Sequence, residues 1–208
     1  MRGHPAALAR TCRHGPGVAH GRRGASGRPF HFGRDDMYDD RFMLRAIEIS
    51  ARALEEPGTE PFGAVVVRDG RILGEGINRS LQNFDPTSHG ETEAIRDACR
   101  NLQSVDLRGC DLYTSCEPCA LCVAAMEIAG IARLYYAANL AQSNAALEQL
   151  PQEQRFPIDS EHVRRESGRS LQERSMPSEQ AHAAEAVRVL TDWAERARRR
   201  ASAAGRAT

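Results

Sequence analysis

Between residues 38 and 140 the apolar positions switch repeatedly between helical and extended spacing. Met43, Ile47, Ala51 and Leu54 recur at intervals of four and three behind Asp39 and Asp40, and Pro57-Gly58 closes the segment; this predicts a first helix. Residues 62–68 form a short β-branched run, Asp69-Gly70 is a hairpin turn signal, and residues 71–78 return as a second strand. A loop over 79–88 leads to a second helix from His89 to about Leu102. Residues 111–115 read as a third strand. A third helix carries Pro118 in its first turn, where the missing N–H costs nothing, and Gly130 stops it. Residues 131–137 read as a fourth strand, and a helix between strands three and four makes that pair parallel. The pattern predicts an α/β protein: a three-layer α/β/α sandwich around a mixed sheet.

Outside this core the pattern weakens. Residues 1–34 hold seven Arg, four His and no acidic residue, with no apolar periodicity. A transit peptide has that composition, but a disordered extension ahead of Met37 is the simpler reading, and His14 and His20 could bind metal only loosely. Residues 151–177 are polar without a clear element. A last helix fits 178–199, with Ala183, Val187, Leu190, Ala194 and Ala197 on one face and Trp193 packing beside them. The expected organisation is an extension over 1–36, a domain over 37–150, and a C-terminal segment over 151–208 that serves as a lid or dimer element.

Composition narrows the chemistry. Twenty-eight basic and 28 acidic side chains cancel, so no whole-chain field attracts a nucleic-acid backbone or an anionic membrane. No apolar run is long enough to span a bilayer. The chain contains no lysine, which excludes Schiff-base catalysis and a Walker phosphate loop. Three of the six cysteines (Cys116, Cys119 and Cys122) crowd into seven residues, while Cys12, Cys99 and Cys110 lie apart. Clustering of this kind favours metal binding in a reducing compartment over a disulfide framework, and a cytoplasmic location is expected. Cys99 and Cys110 read as small buried residues, and His162 and His182 as surface residues.

Two short motifs carry the candidate chemistry: His89-Gly90-Glu91, and Pro118-Cys119-Ala120-Leu121-Cys122. A catalytic zinc takes three protein ligands and leaves a fourth position open. His89, Cys119 and Cys122 supply three, with both cysteines expected in the first turn of one helix and His89 at the start of another. Glu91 is then free to act as the proton carrier. C-x-x-C alone is a weak signal and H-x-E weaker, but the two in this order, with Pro ahead of the first Cys, form the signature of zinc deaminases. The competing readings are a closed structural site with Cys116 as fourth ligand, a non-catalytic zinc interaction module, and free buried thiols beside a surface His.

The chain resembles the cytidine-deaminase-like superfamily, and within it bacterial guanine deaminases. The resemblance lies in Pro61-Phe-Gly-Ala-Val-Val-Val67, Asn78, Asp85-Pro-Thr-Ser-His-Gly-Glu91, Glu93-Ala-Ile-Arg96, Tyr113-Thr-Ser-Cys-Glu-Pro-Cys119 and Tyr136-Ala-Ala138. It implies an open sheet flanked by helices, a homodimer, zinc on His89, Cys119 and Cys122, and proton transfer by Glu91. It also implies that Asn78 meets the substrate's ring edge, that Phe62 lies near the base plane, and that backbone near Ser115 touches substrate. The implied reaction is hydrolytic deamination of a free nucleobase, guanine first. Cytosine or a related pyrimidine or triazine base, and a tRNA adenosine, are the alternatives; nucleic acid is not the expected partner. Glu173-Arg-Ser-Met-Pro177 resembles the C-terminal region of guanine deaminases. Two features depart from that pattern: Gly90 replaces the more usual Ala, giving a His-Gly-Glu like that of fungal cytosine deaminases. Asn144-Ala-Ala-Leu-Glu148 stands where an acidic stretch should read the purine's N–H groups, with Glu148 as a possible substitute.

Overall fold

The computed structural model describes residues 38–151 and 159–204. The expected N-terminal extension, with His14 and His20, lies outside the described residues. Among those described, no helix is long and apolar enough to cross a membrane.

The chain begins with helix α1 (Asp40–Ala51), whose N-cap Asp39 accepts from the Arg41 N–H at 3.0 Å. Its buried residues are Phe42, Met43, Ala46 and Ile49. The predicted stripe was rotated: of its members only Met43 is buried, Ile47 is 41% exposed, and Leu54 is 85% exposed in a 3-10 turn over Arg52–Leu54. Both stripes have helical spacing, so periodicity could not choose between them. The sheet chose, because Phe42 packs its ring on Tyr113 (centroids 5.5 Å apart).

Strands β1 (Glu60–Arg68) and β2 (Arg71–Asn78) form the expected hairpin. Asp69 and Gly70 both take positive φ, 53° and 69°, as a two-residue type I′ turn requires. Strand β3 (Asp111–Cys116) pairs antiparallel with β1, and β4 (Arg133–Ala138) pairs parallel with β3. The sheet order is β2-β1-β3-β4. Side-chain alternation separates its faces. Val65, Val67 and Tyr113 meet α1. Ala64, Val66 and Leu112 meet the opposite layer, built from α3 (Gly90–Leu102) and α4 (Ala120–Ala129). The three-layer α/β/α architecture is as the sequence predicts.

The remaining elements correct the sequence reading in detail. The loop after β2 contains a short helix, α2 (Ser80–Asn83). Pro118 precedes α4 instead of lying in its first turn. Helix α5 (Leu140–Leu147) starts at a capping box made by Asn139 and Gln142. Part of the segment expected to lack structure forms α6 (Ser160–Ser167) and a 3-10 turn over Leu171–Glu173. Val163 is the only large apolar residue of α6, so it shows no periodicity; its polar N-cap, Asp159, accepts from the His162 N–H at 2.8 Å. Helix α7 (Ala183–Ala204) lies near the predicted span, but Val187, Leu190 and Trp193 are 57%, 67% and 71% exposed, so Trp193 is not packed as expected.

Candidate metal centre

Two helices start at the same place. His89 is the N-cap of α3 and Cys119 the N-cap of α4, both with extended backbone (ψ 160° and 172°). Neither side chain caps its own helix, which frees both to face one another. Cys122 follows in the first turn of α4, three residues on, and is fully buried. The expectation that both cysteines occupy the first turn is corrected: only Cys122 does. The consequence is favourable, because an N-cap side chain projects along the helix axis, toward the partner helix.

His89 Nδ1 lies 3.5 Å from Cys119 Sγ and 3.4 Å from Cys122 Sγ, and the two sulfurs are 3.6 Å apart. One donor atom from each residue falls within 4.8 Å of the others, a group that can hold a metal ion. The donor set, one imidazole and two thiols, suits zinc. Cys116 is outside this group, as a closed four-ligand site would not have it; its buried thiol is pushed up by desolvation. The hydrogen bond with Cys122 and that with His89 hold the Cys119 thiol down at about 4. Cys122 is pushed up, first by its bond to Cys119 and then by burial, so the pair keeps one proton on Cys122. The hydrogen bond to Cys119 raises the His89 pKa. A preformed thiolate at a helix N-terminus is a ready metal ligand.

Glu91, at the second position of α3, is 5% exposed. Oε1 accepts from Thr114 Oγ1 at 3.2 Å, and Oε2 accepts from the Cys122 thiol at 3.3 Å. Burial raises its pKa above the ordinary carboxylate value. Thr114 reaches it because strand alternation puts Thr114 on the same face as Leu112, toward α3. Thr114 was missed by the sequence reading, although its parity in β3 was available.

His89, Cys119 and Glu91 open onto a cavity of about 1120 Å3, which Asn78 and Phe62 also line. Ser115 does not line it; its hydroxyl accepts from the Gly63 N–H at 3.0 Å and ties β3 to β1, while the adjoining Cys116 and Glu117 reach the cavity. Asn78 is 4% exposed, and its Oδ1 accepts from Ser80 N and Oγ at 2.9 and 2.8 Å. Glu148 caps the exposed C-terminus of α5 and is absent from the lining, so it does not supply the missing acid. The far wall comes from α5 and the start of α6. Glu117, between the β3 end and Cys119, accepts from the Leu140 N–H and from Arg164, both at 2.9 Å, and so fastens both helices to the cysteine-bearing loop.

A pocket that joins a His–Cys–Cys donor group to a buried carboxylate is the working arrangement of a zinc-dependent hydrolytic deaminase, and the protein is one. Residues 37–138 match the family model described as the cytidine and deoxycytidylate deaminase zinc-binding region. Over 157 residues the chain is 33% identical to the guanine deaminase of Bacillus subtilis, which takes in 76% of this chain and 94% of that one. The crystal structure of the B. subtilis guanine deaminase superposes with a TM-score of 0.65 over 76% of this chain and 95% of that one. The tRNA-specific adenosine deaminase of Agrobacterium fabrum is 44% identical over 98 residues, 47% of this chain and 64% of that one. The chain belongs to the cytidine and deoxycytidylate deaminase family.

Proposed function

We propose that the protein deaminates a free nucleobase, guanine foremost, with water as co-substrate and ammonia as product. The observation that carries this reading is Glu91, a buried carboxylate beside a three-donor metal group and open to a cavity large enough for a purine. His89, Cys119 and Cys122 hold the zinc. Zinc supplies the Lewis acidity that lets water give up a proton near neutral pH. Glu91 takes that proton and delivers it to the ring nitrogen, then carries the second proton of the same water to the leaving amine. Its burial suits both steps, because a carboxylate of raised pKa both accepts and releases a proton readily. Thr114 holds Oε1 in place, Asn78 meets the ring edge, and the half-buried Phe62 lies against the base.

Guanine is favoured by the extent of likeness: it runs through nearly the whole B. subtilis guanine deaminase, whereas likeness to the A. fabrum tRNA enzyme covers 98 residues. No Arg is among the described residues that line the cavity, so no guanidinium there offers charge to an RNA backbone. Residues 37–150 carry the chemistry, and the 151–208 segment acts as lid or dimer element. The protein works as a cytoplasmic homodimer. Free cysteines among the described residues and exposed Leu134, Tyr136 and Ile128 support this part.

The test is ammonia release by zinc-loaded protein from guanine, cytosine, adenine, their nucleosides and a tRNA. Release from guanine before all others supports the proposal. Release only from cytosine or from tRNA moves the substrate, and no release from any of them removes the catalytic reading. Glu91→Ala is expected to abolish turnover while zinc content stays at one per chain.

A further inference from the structure

We infer that Glu60 and Asn78 form a donor–acceptor pair that reads a lactam edge, a ring C=O beside a ring N–H, on the substrate base. This rests on the nucleobase reading of the same cavity. Glu60 opens β1 and Asn78 closes β2, and the two are directly opposed in the hairpin register. Opposed residues on paired strands project from the same face, and both line the cavity beside His89.

Their free valences are complementary. The Asn78 amide is fixed by Ser80: Oδ1 accepts the Ser80 backbone N–H, which only an oxygen can do. The amide nitrogen has no partner among the described residues, which leaves it a donor into the cavity. Glu60 is the reverse, an acceptor without a hydrogen bond or ion pair among the described residues. The other carboxylates around the cavity are engaged. Glu91 holds Thr114 and Cys122, Glu117 holds Leu140 and Arg164, Asp85 holds Thr87, and Asp159 caps α6. Glu60 and His89 line the same cavity. Glu60 therefore offers the acidic acceptor that Asn144–Glu148 does not bring to the cavity.

A donor next to an acceptor selects by chemistry. Guanine offers O6 to Asn78 and N1–H to Glu60; free cytosine also carries a lactam edge, O2 beside N1–H, but holds it at a different place relative to its amine carbon. Adenine offers neither: its corresponding edge is an acceptor nitrogen beside an amine donor. Bound there, adenine leaves both protein groups facing the wrong partner, and sites that hydrogen-bond their substrate reject such analogues far more strongly than a missing methylene.

The experiment is steady-state ammonia release from guanine, cytosine and adenine by full-length, zinc-loaded wild type, Glu60→Leu and Glu60→Gln. Equilibrium dialysis of guanine against Glu91→Ala and Glu91→Ala/Glu60→Leu gives binding without turnover. The expected result is a KM for guanine raised about tenfold or more by Glu60→Leu with kcat within about threefold, and most of the loss recovered by Glu60→Gln, whose amide oxygen still accepts. Wild type is expected to use adenine at least about a hundredfold less well than guanine. An unchanged KM in Glu60→Leu, or adenine used as well as guanine, overturns the pairing. Absence of ammonia from every base overturns the deaminase reading instead, and the lactam reading then stands if guanine binds to Glu91→Ala and is lost in the double variant. No binding overturns both.

Discussion

Glu91 occupies a position in which a carboxylate is expensive. It is buried, its pKa is pushed up by desolvation, and its described partners are one hydroxyl, one thiol and its own backbone N–H. Ionised carboxylates buried for structure alone are paired with a cation or several N–H donors. Glu91 keeps instead a face on the cavity, where its proton can be exchanged. Thr114 then has a specific task, since its hydroxyl fixes Oε1 from the floor of the sheet. Its second contact, to the Gly63 carbonyl at 3.4 Å, is the longer of the two. Thr114→Val keeps the shape and removes the donor. The expected outcome is a kcat lower by about tenfold, with KM and zinc content unchanged and most of the rate restored in Thr114→Ser. A Val variant with wild-type kcat would show that Glu91 needs no such support.

At the scale of elements, the site depends on how closely α3 lies on β2. A Cβ on Gly76 would collide with the Gly90 carbonyl and the Ala94 N–H, and one on Gly90 with the Phe62 carbonyl. The helix therefore rests backbone to backbone on the strand, and this depth sets His89 and Glu91 beside α4. It also gives a local reason for Gly90 where guanine deaminases more often carry Ala: here the Phe62 carbonyl fills the space. Gly76→Ala is expected to cost about 3 kcal/mol through overpacking and to lower the melting temperature by several degrees. The same variant should bind zinc more weakly, since α3 must lift. Differential scanning calorimetry and metal titration check both; an unchanged transition would mean that the helix can shift without loss.

At the scale of the whole molecule, the core domain reaches beyond its own sheet to close the cavity. Glu117 sits in the loop that carries Cys119, yet its carboxylate is used by the first N–H of α5 and by Arg164 of α6. The wall facing the donor group is thus tied to the loop that presents it. The Arg164–Glu117 pair is partly exposed (37% and 26% of the side chains), so its worth to stability is within about 1 kcal/mol. Its worth to the site is positional. Arg164→Ala should leave folding and zinc content as they are and raise KM about threefold to fivefold; an unaltered KM would mean that α6 stays in place without the pair. Helix α7 follows with Val187, Leu190 and Trp193 exposed along it, a face that the rest of the described chain does not cover.

The sequence by itself determined the strands, the hairpin turn, the three layers and the identity of the donor residues. These follow from local rules: period, turn chemistry at Asp69-Gly70, and two motifs whose order and spacing suit a three-ligand zinc site. Tertiary structure decided the rest. It chose the buried face of α1, where two stripes had equal periodicity and packing on Tyr113 broke the tie. It turned Cys119 into an N-cap, formed α6 from a segment with one large apolar residue, and left Ser115 and Glu148 off the cavity. It also brought Thr114 to Glu91 and Glu60 opposite Asn78, which are 23 and 18 residues apart in the chain. Pairings over such distances depend on strand register and on the approach of one backbone to another, and neither is written in any local stretch of sequence.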